Sequence, residues 1–189
     1  MPKYYSESLE DKKIDNHIVL PEDGFYVDIG AAHPTRMSNT AFLRDKGWDG
    51  IQIDGDPYWK RYWEEAGLAL LTTPIWIDSF VKFAPNKSAH RLSKISDDGE
   101  VTGSERINDV LKHYDVKRID FMSLDVEGAE FDIFMTLDQK YYPDVFIFEY
   151  DTVGVQDFRL KDFIEGFEIY EHFLTTKDNF IYIKKNVFY

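Results

Sequence analysis

The most constraining feature of the sequence is a strand that ends in a turn of small residues and is answered, one crossover later, by a second strand ending in an acid. Residues 24–29 read Gly-Phe-Tyr-Val-Asp-Ile, with Phe25, Val27 and Ile29 as β-favouring side chains, and Gly30-Ala31-Ala32 follow as the turn. Ser38-Asn39-Thr40 can cap a helix whose first turn carries Ala41, Phe42 and Leu43, and Gly47 ends it. Residues 50–53 form the next apolar run and deliver Asp54 at its carboxyl end. In an open parallel sheet, ligands bind beyond the carboxyl ends of the strands, and a glycine after the first strand lets a ligand approach the backbone. The pattern predicts an α/β fold with a site near Gly30 and Asp54.

The remaining chain continues the alternation. Residues 58–66 have helical spacing, pairing Tyr58 with Tyr62 and Trp59 with Trp63, which reads as a packed face rather than a stacking platform. A strand is expected at 68–71, extended or hairpin structure at 75–83, and at 84–103 a long polar surface connection of the sort that often carries substrate contacts; His90, Arg91 and Ser93 there could touch a substrate, a solvated loop being the stronger reading. His33, after the first turn, could reach a substrate as a base, a solvated or hydrogen-bonded histidine being the stronger reading. A helix at 105–114, a strand at 119–124, a helix opening near Gly128 and a strand at 145–148 follow. A short helix at 160–164 and strands at 167–173 and 180–184 suggest an antiparallel finish to a mostly parallel sheet. The 189 residues are enough for one core, so residues 24–189 are read as a single domain and 1–23 as an N-terminal segment packing near the site.

Composition narrows the partners. A formal charge of −13 argues against a nucleic-acid or acidic-membrane footprint, which needs clustered Lys and Arg. The absence of cysteine excludes disulfides, a thiol nucleophile and thiolate metal ligation. With no apolar leader or spanning segment, a cytoplasmic location is the expectation.

Asp54 stands where a carboxylate accepts hydrogen bonds from both ribose hydroxyls of an adenosine cofactor. That alone fits either a nicotinamide cofactor or S-adenosylmethionine. A dinucleotide turn wants Gly-x-Gly-x-x-Gly, whereas here Ala32 takes the second glycine's place and the third is missing. Asp28 would repel a phosphate and attract the ammonium of a methionine moiety. A second acidic group, Asp125-Val126-Glu127-Gly128-Ala129-Glu130, follows the strand at 119–124, and Glu149 follows the strand at 145–148. Asp125 is the candidate to orient or deprotonate a substrate hydroxyl; Glu127 and Glu149 share that role or hold a divalent cation. Glu127 and Glu130 also suit a helix N-terminus, with no ligand at all. A nicotinamide-dependent oxidoreductase and a cofactor-binding module without activity remain the alternatives.

Four ordered segments resemble the FkbM-type methyltransferases. These are Gly24-Phe25-Tyr26-Val27-Asp28-Ile29-Gly30-Ala31, then Ser38-Asn39-Thr40 with Gly47-Trp48-Asp49-Gly50, the run from Asp120 through Ser123 to Glu130, and Asn179-Phe180-Ile181-Tyr182-Ile183. A weaker likeness at Ser6 and Glu10-Asp11 extends it, although Leu9 replaces a small residue there, and Asp54-Gly55-Asp56-Pro57 departs from a common Glu-Pro. The resemblance implies a Rossmann-like class I methyltransferase fold, S-adenosylmethionine as donor, and O-methylation of a sugar or other small hydroxylated acceptor. It places Asp28, Gly30, Ala31 and Asn39 around the methionine part, Asp54 and Gly55 at the ribose, and Ile75 beside adenine.

Overall fold

The computed structural model describes residues 2–152 and 154–187. Helix α1 (Glu10–His17) precedes strand β1 (Phe25–Ile29), helix α2 (Ala41–Asp45), strand β2 (Asp49–Asp54), helix α3 (Lys60–Glu65) and strand β3 (Leu71–Thr72). Strands β4 (Phe80–Ala84), β5 (Lys94–Ile95) and β6 (Glu100–Gly103) come next, then helix α4 (Ile107–His113), strand β7 (Phe121–Leu124), helix α5 (Glu130–Phe134) and strand β8 (Val145–Glu149). The short strands β9 (Asp151–Thr152) and β10 (Val155–Gln156), helix α6 (Arg159–Glu165) and the strands β11 (Tyr170–Thr175) and β12 (Asn179–Lys184) complete the chain.

Seven strands form one sheet in the order β11-β12-β8-β7-β1-β2-β3. The five from β8 to β3 run parallel, and β12 and β11 are antiparallel. The order therefore reverses between β1 and β7, the kind of switch point beyond which open α/β sheets bind ligands.

Side-chain alternation builds the layers. Val27, Ile29, Met122, Leu124, Phe146 and Phe148 face a core shared with α4, α5 and α6. Tyr26, Phe121, Val145, Ile147, Ile181 and Ile183 face the opposite core, covered by α1 and α2. Period-two alternation puts Asp28 on the face of Tyr26, where Thr40, just ahead of α2, donates to it at 2.6 Å. Phe134 anchors the first core, stacked on Phe146 at 4.9 Å and Tyr142 at 5.0 Å.

Several sequence expectations need correction. The connection at 84–103 is structured: β4 pairs antiparallel with β5 and with β6, forming a small separate sheet. All four residues of β6 are exposed, so no apolar alternation advertises it. The third strand lies at Leu71–Thr72 rather than 68–71, and the strand expected at 167–173 begins at Tyr170. Helix α1, with no strong apolar run, was not anticipated; Ile14 is its buried apolar anchor, while Asp11 turns inward to accept from Ser6 Oγ at 2.7 Å. Leu9 ahead of it has φ 60°, a left-handed backbone that favours glycine. Helix α2 starts at Ala41, three residues beyond Ser38, whose Oγ accepts the Ala41 N–H at 3.1 Å.

Candidate active site

Strand register brings the acids together. The row Ile53, Ile29, Leu124 and Phe148 runs straight across β2, β1, β7 and β8. The residue after each is Asp54, Gly30, Asp125 and Glu149, so these four emerge side by side at the carboxyl edge of the sheet. Asn179, at the start of β12, pairs with Glu149 and extends the row. Asp54 and Asp125 flank β1 at two strand spacings, roughly 10 Å apart.

A cavity of about 600 Å³ opens over this edge, a size suited to a small-molecule ligand. Its walls include Asp28, Gly30, Ala31, Asn39, Asp54, Gly55 and Ile75. Asp125, Glu127 and Glu149 line it as well, so the structure brings all ten candidate residues to one space. Three non-glycine residues with left-handed backbone, Ala32, Met37 and Glu127, also line it, a concentration of strain typical of functional sites.

The first turn is tightly committed. The amides of Gly30 and Ala31 donate to Ile53 O at 2.9 and 3.0 Å, and the Ala32 amide donates to Asp54 Oδ2 at 2.9 Å. Asp54 Oδ1 accepts the Asp56 amide at 2.8 Å. The carboxylate is thereby fixed in orientation while keeping lone pairs for a ligand. Gly30 is glycine for a reason the sequence did not disclose. At φ 84°, a Cβ there would lie 1.6 Å from the Asp125 carbonyl oxygen, so the requirement is the approach of β1 to β7 rather than of ligand to backbone. Gly55 similarly leaves room for the Phe83 ring, 2.9 Å from where its Cβ would be.

Burial dominates the electrostatics. It raises the Asp28 pKa to about 6, against lowering by the Thr40 hydrogen bond and Arg44. It raises Asp54 to about 7, outweighing its two backbone hydrogen bonds. Asp125 is pushed well above the usual carboxylate range by burial, then by the charges of Glu127 and Glu130, while a hydrogen bond with Glu149 opposes the rise. Glu127 rises to about 7 through burial and Glu130, opposed by Arg91 and Lys94. Asp125 and Glu149 thus form a carboxyl pair able to share a proton.

Asp125, Glu130 and Glu149 bring oxygens within 4.8 Å of one another, a spacing a divalent cation could bridge. Glu130, however, already accepts the amides of Val126 and Gly128, at 2.8 and 3.1 Å, which fixes the loop entering α5. Asn39, buried beside them, donates to Ser123 Oγ at 3.2 Å.

Five further residues line the cavity: His33, His90 and Arg91 are the weaker candidates that the sequence favours as solvated, Glu10 lies in the N-terminal segment, and Asn179 carries no site signal in the sequence. Glu10 of α1 reaches the cavity and accepts from Thr176 Oγ1 at 2.7 Å. Asn179 lines the cavity with a buried Oδ1 that has no hydrogen-bond partner. His90 and Arg91, expected in solvent, line it too. His33 also lines it, its ring 5.0 Å from that of Tyr62. Register across the sheet could have flagged Asn179, since it opens the terminal strand, and Glu10 falls in the weaker likeness at Ser6 and Glu10-Asp11; no spacing or motif marks His33, His90 or Arg91 as more than loop residues.

Residues 77–167 match the family model described as the Methyltransferase FkbM domain, a stretch that holds the small sheet, Asp125, Glu127 and Glu149. No curated protein matches the chain. Among solved structures, M. capricolum TrmK, determined in complex with S-adenosyl-homocysteine, superposes with a TM-score of 0.50 at 14% identity. The alignment covers 97% of this chain and 71% of TrmK, which supports the Rossmann-like fold of the methyltransferases.

Proposed function

We propose that this chain, whose residues 77–167 match the FkbM methyltransferase domain, transfers a methyl group from S-adenosylmethionine to a hydroxyl oxygen of a sugar or other small hydroxylated acceptor. The observation that supports the donor best is the committed first turn. Its three amides are all bonded within the protein, so none is left to cradle a pyrophosphate, and carboxylates stand where phosphates would lie. An adenosine with a cationic tail fits the same edge. The orphaned Asn179 Oδ1 supplies one more acceptor at an edge rich in them. TrmK, which shares the fold, holds S-adenosyl-homocysteine.

In this reading Asp54 accepts the ribose hydroxyls, with Gly55 beside it and Ile75 against the adenine. Asp28, Gly30, Ala31 and Asn39 surround the methionine portion. When bound, S-adenosylmethionine supplies an electrophilic methyl group on a sulfonium cation and departs as a neutral thioether. The acceptor hydroxyl gives its proton to the Asp125–Glu149 pair as its oxygen takes the methyl group. The raised pKa makes Asp125 a stronger base than an ordinary carboxylate, and Glu127 helps hold the acceptor. A shared proton, without a cation, accounts for the pair. The N-terminal segment, through Glu10, closes one wall.

Methyl transfer from labelled S-adenosylmethionine to a panel of hydroxylated acceptors tests the assignment. Asp125→Asn is expected to lower the transfer rate by about 100-fold while leaving donor binding intact. An unchanged rate would remove Asp125 from the chemistry, and donor binding without transfer to any acceptor would favour a binding module.

A further inference from the structure

The floor of the cavity is acidic, yet its rim carries Arg36 and Arg91 in a chain of net charge −13. Neither guanidinium makes a hydrogen bond or salt bridge among the described residues. An unpaired surface arginine ordinarily belongs to solvent. Arg91 differs because the turn that bears it is pinned on both sides.

His90 Nδ1 lies 2.8 Å and Ser93 Oγ 2.7 Å from the same oxygen, Oδ2 of the buried Asp56. The His90 ring lies flat on Tyr58, with centroids 3.5 Å apart and planes within 2°. Ser93 Oγ also accepts the Asn86 amide at 2.9 Å. Arg91 is therefore presented from a fixed point over the cavity. It lies near enough to Glu127 that it and Lys94 both hold that carboxyl down against burial.

The two arginines come from different loops. Arg36 shares the loop after β1 with Asn39, at the end assigned to the methionine portion, where the donor's own α-carboxylate is its natural counter-ion. Arg91 is borne by a turn anchored on Asp56, beside the ribose end, and reaches the field of Glu127, which follows β7 on the side assigned to the acceptor. We propose that Arg91, supported by Lys94, selects an acceptor carrying an anionic group, a carboxylate or a phosphate, beside the hydroxyl that is methylated. The inference rests on the methyltransferase reading. A guanidinium offers paired N–H donors that match either anion, and a neutral hydroxyl offers no equivalent. Glu127 repels an anion placed deeper, so the charged group is held at the rim and the hydroxyl faces Asp125.

Calorimetry on the full chain saturated with S-adenosyl-homocysteine tests it, with glucuronate, glucose 6-phosphate and glucose as titrants. At least one anion is expected to bind about tenfold more tightly than glucose, and the two arms tell carboxylate from phosphate. Arg91→Gln should abolish that preference while leaving S-adenosyl-homocysteine affinity and melting temperature unchanged. Equal binding of all three sugars, no binding of either anion, or a preference that survives Arg91→Gln overturns the proposal with the donor reading intact. Failure of S-adenosyl-homocysteine itself to bind overturns the donor reading, and this inference with it.

Discussion

At the scale of single residues, the site depends on backbone positions as much as on side chains. Gly30 lets the Asp125 carbonyl pass at a distance no Cβ allows, which brings β1 and β7 together and sets Asp125 beside the first turn. Gly30→Ala is expected to destabilise the fold by about 3 kcal/mol, since both the positive φ and the backbone clash must be relieved. Urea unfolding would measure this, and a loss below about 0.5 kcal/mol would show that the strands part easily. Leu9 is the contrasting case: it is 48% exposed and occupies left-handed backbone without a close packing reason. Its strain explains why a small residue is the expectation at that position.

At the scale of elements, the small sheet of β4, β5 and β6 makes the site more than a bare sheet edge. Asp56 ties it to the end of β2 through His90 and Ser93, while Gly55 admits Phe83 from β4. Asp56→Ala removes the acceptor shared by both anchors. Hydrogen exchange should then quicken across residues 80–103, with β1, β2 and β7 unaffected. Uniform exchange across the chain would mean that Asp56 supports the whole domain instead. What the sequence revealed follows the same division. Strands β1, β7 and β8 are mostly apolar because they are buried on both faces, and β2 places Ile51 and Ile53 directly ahead of Asp54, so these strands and the acids at their ends were legible. The two-residue β5 and the exposed β6 carry no such pattern. Arg91, Glu10 and Asn179 owe their places to anchors and register contributed by distant segments, which no local window contains.

At the scale of the whole molecule, the site is a group of acids whose burial is held at a cost. Burial raises Asp28 from 3.8 to about 6, Asp54 from 3.8 to about 7 and Glu127 from 4.5 to about 7. Between the unfolded and folded values the native state holds more protons, so stability without ligand falls as pH rises through about 4 to 7. A cationic donor favours the ionised forms, so its binding should strengthen over that range and above it. The central claim is that this edge holds S-adenosylmethionine and not a dinucleotide. Calorimetric titration with S-adenosylmethionine and with NAD, at about pH 5 and about pH 8, tests it most directly. S-adenosylmethionine is expected to bind, more tightly at the higher pH and about tenfold or more weakly in Asp54→Ala, with no counterpart for NAD. Binding of NAD with no response to S-adenosylmethionine would contradict it.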